Sequence, residues 1–209
     1  MIPIFDAGHG SVIGGKAQTK GKRSPDWEHG VLLEGVVNRW IVNRVIEECD
    51  RNQVPYYHCS PEQKDISLKR RLRRVNDWHS LNSDIYLLSI HCNAGGGEGM
   101  EIYTTTGQDD SDKIAETIMT SVQQAIPTTR YRYDMSDGDK DKEKNFTMLI
   151  GSDCPSVLLE AGFMDLRADY FKLFNEQYLE TFVDALYVAI KKLYDHGLSV
   201  QDRREDSVS

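Results

Sequence analysis

The sequence predicts an α/β protein: a single domain built on a mostly parallel, twisted sheet flanked by helices. Two observations carry that prediction. Short apolar runs of strand length alternate along the chain with longer segments of helical period, the pattern of parallel strands joined by crossover helices. Two of the runs, DIYLLSI at 84–90 and SVLLE at 156–160, are almost continuously apolar, as strands covered on both faces must be. The length agrees, since 209 residues suit one such domain.

The elements follow in order. A first strand at 2–5 runs into the glycine-flanked loop Asp6-Ala7-Gly8-His9-Gly10. Residues 11–30 are polar and glycine-rich and read as a long loop, a length that in compact domains is usually functional or disordered. From 31 to 51 the period changes. Leu33, Val36, Val37, Trp40, Ile41 and Val45 form one apolar helical face. Residues 54–59 (VPYYHC) read as a strand, 66–80 as a basic helix with Leu68, Leu72, Val75 and Trp78 on its apolar side, 84–90 as a central strand and 100–103 as a further strand. Ile114, Ile118, Val122 and Ile126 mark a helix over 112–126, which Pro127 ends. The charged stretch 128–152, with DGDKDKEK at 137–144, reads as a solvated loop. After the strand at 156–160, a last helix aligns Leu179, Phe182, Val183, Leu186, Ile190, Leu193 and Tyr194. Residues 1–196 make the domain, and 197–209 are expected to be a polar, disordered tail. No internal repeat is visible.

Composition narrows the classes. With 33 acidic against 25 basic residues the net charge is −8, which argues against a nucleic-acid binder. No apolar run reaches membrane-span length, and the start, MIPIFDAGHG, lacks the basic and long apolar regions of a secretory signal. Synthesis in the cytoplasm is therefore expected. Cys49, Cys59, Cys92 and Cys154 form no CxxC pair and read as reduced, mostly buried thiols.

In parallel α/β sheets the ligand crevice lies at the carboxyl ends of the strands. His9 follows the first strand, His91 follows the 84–90 strand, and Glu160 ends the SVLLE strand. Glu34 opens the first helix, which begins at that same edge. Two imidazoles and one carboxylate with an open position form a catalytic zinc set, and a further carboxylate can serve as general base. Each residue alone has a plain reading. A lone histidine after a strand is usually a satisfied side chain, and a glutamate in a first helical turn is favoured by the helix dipole. Glu160 stands out because a carboxylate ending an apolar strand must find a partner.

Four segments resemble the zinc-dependent N-acetylmuramoyl-L-alanine amidases of the amidase-3 type, which cleave peptidoglycan. Asp6-Ala7-Gly8-His9-Gly10 resembles that family's D-x-G-H-G, and Glu34-Gly35-Val36-Val37-Asn38 its E-x-x-x-N. Ser89-Ile90-His91-Cys92-Asn93-Ala94 resembles its S-I-H-x-N-A, and the 157–163 segment VLLEAGF its V-L-x-E-x-G-F. They occur in the family's order, and Asn76 also fits. The resemblance implies that His9, Glu34 and His91 bind Zn2+ and that Glu160 is the catalytic glutamate. It also implies hydrolysis of the amide between the lactyl group of N-acetylmuramic acid and L-alanine. Two features depart from the pattern. Met164-Asp165-Leu166-Arg167 stands where a small residue and Asn are usual, and the 11–30 loop holds Glu28, a rival to Glu34. Cys92, next to an implied ligand, would need its own base to act as a nucleophile.

The alternatives are a catalytically silent wall-binding module of the same fold, or a zinc hydrolase of another amide. A lone catalytic domain of this kind resembles a bacteriophage endolysin, a monomer acting on the cell wall after release at lysis. A bacterial remodelling or recycling enzyme, or a domain of a longer protein, is the rival setting.

Overall fold

The structure is a computed structural model, and it describes residues 1–107, 109–136 and 138–198. The expected disordered tail lies, from 199 on, outside the described residues. Its elements in chain order are β1 (Ile2–Ala7), β2 (Val12–Ile13), β3 (Lys16–Ala17), β4 (Arg23–Trp27), β5 (Gly30–Leu33), α1 (Glu34–Arg51), β6 (Tyr57–His58) and α2 (Leu68–Leu81). There follow β7 (Ile85–Asn93), β8 (Glu101–Thr104), α3 (Asp110–Ala125), β9 (Lys142–Glu143), α4 (Thr147–Ile150), β10 (Ser156–Phe163), α5 (Arg167–Phe174) and α6 (Glu176–His196). A six-stranded sheet has the order β6-β1-β7-β10-β8-β9. Every pairing in it is parallel except β10 with β8, so the expected α/β class holds.

Strand alternation sorts the sheet into two unlike faces. Phe5, Ala7, Tyr86, Leu88, Ile90, Ile102, Val157 and Leu159 point into one large apolar core with α1, α3 and α6. The other face carries Ile4, Ile85 and Leu87, covered by Val75 of α2 and Met148 of α4. It also carries Tyr103 and Leu158, packed with Leu149 of α4. Counting in steps of two from Leu87 and Leu158 places Ser89, His91 and Glu160 on this second, thinly covered face.

Several local expectations are corrected. The 11–30 segment is not one loop: it holds two small hairpins, β2–β3 and β4–β5. The first helix starts at Glu34 rather than 31, because residues 31–33 pair in β5 and the Glu34 N–H donates to the Lys22 carbonyl at 3.0 Å. Only Tyr57 and His58 of the 54–59 strand pair with β1, as Pro55 has no N–H for a ladder. Within 128–152, β9 adds in parallel to β8 and α4 forms, a tertiary pairing that a charged stretch does not advertise. The 156–160 strand continues to Phe163 through an irregularity that uses Gly162 at φ 146°. Helix α5 has no counterpart in the sequence reading. Tyr194, expected on the buried face of α6, is exposed.

Caps explain the helix starts the periodicity missed. Ser67 accepts from the Arg70 N–H ahead of α2, and Asp109 forms a capping box with Asp112 ahead of α3.

Candidate active site

β1 ends in a loop that must turn away from the sheet, and it does so at His9, whose φ is +64°. A non-glycine residue in that region carries strain and persists only when its surroundings hold it. Here α1 supplies the restraint. Asn38 Nδ2 donates to the Gly8 carbonyl at 3.0 Å, and Arg39 Nη2 to the His9 carbonyl at 3.2 Å. Gly8 and Gly35 have no room for a side chain. A Cβ on Gly8 would lie 2.3 Å from His91 Cε1, and one on Gly35 only 2.0 Å from the Gly10 carbonyl oxygen. The glycines of both motifs thus let loop, helix and imidazole close on one another.

Asp6, at the head of the first motif, is structural. It is fully buried, paired with Arg71 Nη1 at 2.8 Å, and accepts from Ser89 Oγ at 2.8 Å. Arg71 also donates to the Ala7 and Ile66 carbonyls, tying α2 to the end of β1.

The three implied ligands meet. Glu34 Oε1 lies 3.3 Å from His9 Nε2 and 3.0 Å from His91 Nδ1, and the imidazoles meet edge to face with centroids 5.0 Å apart. One donor atom from each residue falls within 4.8 Å of the others. His9 Nε2 and Glu34 Oε2 are buried without a hydrogen bond among the described residues, as expected of atoms that serve a cation. Burial would raise the Glu34 pKa, but the two imidazoles hold its carboxyl far below the usual carboxylate range. Two imidazoles and an ionised carboxylate fit a divalent metal of borderline softness. Lys22 Nζ approaches Glu34 Oε2 at 3.7 Å from the preceding loop.

Glu160 is directly opposite His91 in the β7–β10 register, so the two side chains rise from the same face. It is buried, and its Oε2 has no hydrogen-bond partner among the described residues. Burial raises its pKa to about 7 against the attraction of His91. A carboxylate held this way is equipped to accept and release a proton near neutrality.

The rivals fall outside the cluster. Glu28 is exposed and pairs with Arg167. Asn76 donates to the Gly151 carbonyl at 3.0 Å and accepts from the Asp153 N–H, clamping the approach to β10. Cys92 is buried, with its thiol pushed well above its ordinary pKa by burial, and donates weakly to Asn38 Oδ1. All four cysteines are free and buried. The unusual 164–167 segment closes the loop after His91: Asp165 accepts from the Gly95 and Gly96 N–H groups at 2.7 and 3.0 Å.

Sequence reasoning missed Glu101. It is buried, directly opposite Glu160 in the β8–β10 register, and it bonds Asn93, which was quoted in a motif without a role. The cue was available, since Glu101 opens an apolar strand much as Glu160 ends one. No helix among the described residues is long and apolar enough to cross a membrane.

Comparisons with known proteins bear on the family and the fold. An amidase CwlM of Bacillus licheniformis is 32% identical over 193 residues, covering 87% of this chain and 64% of the relative. A sporulation-specific N-acetylmuramoyl-L-alanine amidase of Bacillus subtilis is 35% identical over 118 residues, 56% of this chain and 41% of the relative. The chain therefore spans less than two thirds of the length of either. The crystal structure of an N-acetylmuramoyl-L-alanine amidase from Clostridium difficile 630 superposes with a TM-score of 0.72 at 22% identity, over 93% of this chain and 97% of that one. The family model described as N-acetylmuramoyl-L-alanine amidase matches residues 4–192, a span that contains His9, Glu34, His91 and Glu160, and the chain belongs to that family.

Proposed function

We propose that this chain hydrolyses peptidoglycan at the amide joining the lactyl group of N-acetylmuramic acid to L-alanine, with Zn2+ held by His9, Glu34 and His91 and with Glu160 as general base. One observation carries the reading: three donor atoms within 4.8 Å of one another stand next to a buried, unpartnered carboxylate oxygen, in a chain of the amidase family.

Zinc, when bound there, supplies a Lewis acid for the scissile carbonyl and lowers the pKa of water towards ~7. The protein's own groups do the rest. His9 and His91 approach from two strand ends and Glu34 from a helix start, so the ligand set is fixed by elements that cannot move independently. Asn38 and Arg39 hold the strained turn that aims His9. Glu160 Oε2 takes a proton from the attacking water and returns one to the departing nitrogen as the C–N bond breaks. The products are a free lactyl carboxylate and an L-alanine amino terminus.

The test is incubation with purified cell wall, with and without a chelator, scoring new L-alanine amino termini. Release that is lost on chelation and restored by zinc is expected. No release with zinc present would leave a wall-binding module, and release of other termini would leave a hydrolase of another amide. Glu160→Gln should cut turnover by ~10² or more with zinc content unchanged. A variant as fast as the parent would remove Glu160 from the mechanism.

A further inference from the structure

The catalytic face does not stop at Glu160. His91, Glu160 and Glu101 stand directly opposite one another on β7, β10 and β8. Residues so placed share a face, and across the antiparallel β10–β8 pair directly opposite Cβ atoms lie about 4.5–5.5 Å apart. Because β8 runs antiparallel to β10, its first residue, Glu101, comes to the same edge as the last residues of the parallel strands.

Glu101 is almost completely buried and accepts four hydrogen bonds: from Asn93 Nδ2 at 2.6 Å, Tyr103 Oη at 2.7 Å, Arg132 Nε at 2.5 Å and Lys142 Nζ at 2.7 Å. Two cations thus converge on one carboxylate. Lys142 also feels the exposed carboxylate of Asp134. Arg132 has Glu101 as its one ionic partner among the described residues.

The posture of Arg132 is what matters. Its backbone N–H donates to the Met100 carbonyl at 2.9 Å. Its guanidinium carbon lies 5.5 Å over the ring of Phe163, three residues beyond Glu160. Its Nε is spent on Glu101, and its two Nη groups take no hydrogen bond among the described residues, with the side chain about one-third exposed at 34%. The guanidinium is therefore held on one edge and one face, while its NH2 edge is left without a protein partner among the described residues. Such an edge matches the two oxygens of a carboxylate, and it binds at low entropic cost because it is already immobilised.

We propose that Arg132, steadied by Glu101 and Phe163, is a carboxylate-binding subsite that reads an acidic residue of the stem peptide just beyond the leaving L-alanine. The inference rests on the amidase reading and adds a specificity determinant to it. The scissile amide must lie between the metal ligands and Glu160, so the part of the substrate passing over β8 meets Arg132. On the sugar side the lactyl carboxyl is tied up in the amide, leaving hydroxyls and an N-acetyl group. Carboxylates belong to the peptide side, and the fork is assigned there. The plain alternative is that the cluster only anchors the 130–142 segment to β8, in which case the free NH2 edge contributes nothing to substrate choice.

Two soluble muramoyl peptides separate these accounts. They differ only in whether the residue after L-alanine carries a carboxylate or the corresponding carboxamide. For the zinc-loaded parent, kcat/KM should favour the acid by roughly tenfold or more. Arg132→Gln should bring the ratio to about one, mainly through KM on the acid, and Arg132→Lys should keep part of it. A partly misfolded variant lowers both rates together and leaves the ratio alone, so folding loss does not imitate the result. A parent ratio near one, or an Arg132→Gln variant that keeps the parent ratio, overturns the proposal. If the parent cleaves neither peptide and releases nothing from whole wall, the amidase reading fails and this inference with it. Cleavage of both peptides at equal rates defeats only the subsite.

Discussion

At the residue scale, the site is an arrangement of side chains whose own positions are enforced by neighbours with no chemistry of their own. Gly8 is the clearest case, since any side chain there would run into the His91 ring at 2.3–2.6 Å. Gly8→Ala should displace the imidazole and weaken zinc binding by about 10–100-fold, read by competition with a chromogenic chelator. Equal affinity would mean the loop moves aside freely. Asn38 and Arg39 act on the same turn from the other side. Cys92, although next to a proposed ligand, contributes packing: burial lifts its thiol far above the range of a nucleophile.

At the scale of elements, α2 is joined to β1 by the buried Arg71–Asp6 pair, and both its energetics and its titration can be tested. Removing one member of such a pair strands a buried charge, so Arg71→Ala should cost about 3–5 kcal/mol, seen in denaturant melts. Burial alone would push Asp6 up, but Arg71, His91 and the hydroxyls of Ser89 and Ser60 together outweigh it, and the net value lies below the ordinary 3.8. A depressed carboxylate stabilises the fold above its unfolded-state pKa, and that contribution is lost as pH falls through the folded-state value. Stability of the parent should therefore fall as acid is added below about pH 4. In Arg71→Ala the desolvation of Asp6 loses its strongest opponent, and this acid-induced loss should shrink or reverse. A parallel decline in both proteins would separate Asp6 from the effect. For α3, Asp109→Ala removes a capping box and should cost about 1 kcal/mol, or roughly 2–4 °C in melting temperature for a chain of this size. No shift would show that packing against α6 holds the helix start by itself.

At the scale of the whole molecule, the two unlike sheet faces divide the labour. The face covered by α1, α3 and α6 builds the main core. The face under α2 and α4 is thinner and carries the strand ends His91, Glu160 and Glu101. Because the proposed ligands follow β1, open α1 and belong to β7, a bound metal would cross-link three elements of one core. Zinc at about 100 times its Kd should stabilise the fold by about 2.7 kcal/mol, or roughly 5–11 °C in melting temperature. His91→Ala should abolish the shift, and a shift that persists would place the ion elsewhere.

Much of this was legible in the amino-acid sequence, because it depends on patterns local to the chain. Apolar runs at 84–90 and 156–160 announce buried strands, the 3.6 period announces α1, α3 and α6, and polar residues at the ends of such runs name His9, His91 and Glu160. Glu34 was distinguishable from Glu28 by its place on an amphipathic helix. Other features depend on pairings between residues distant in the chain. The β4–β5 hairpin, β9 against β8, and α5 against β10 have weak local propensity and exist because a neighbouring element supplies their partners. The same holds for the role of Glu101. Its strand runs opposite to its neighbour, and only that antiparallel pairing brings its carboxylate to the edge where the parallel strands deliver theirs. The chain by itself thus determined which residues are candidates for the chemistry. The tertiary structure decided which of them face one another, since convergence follows from strand order and direction, and neither is encoded in any single segment.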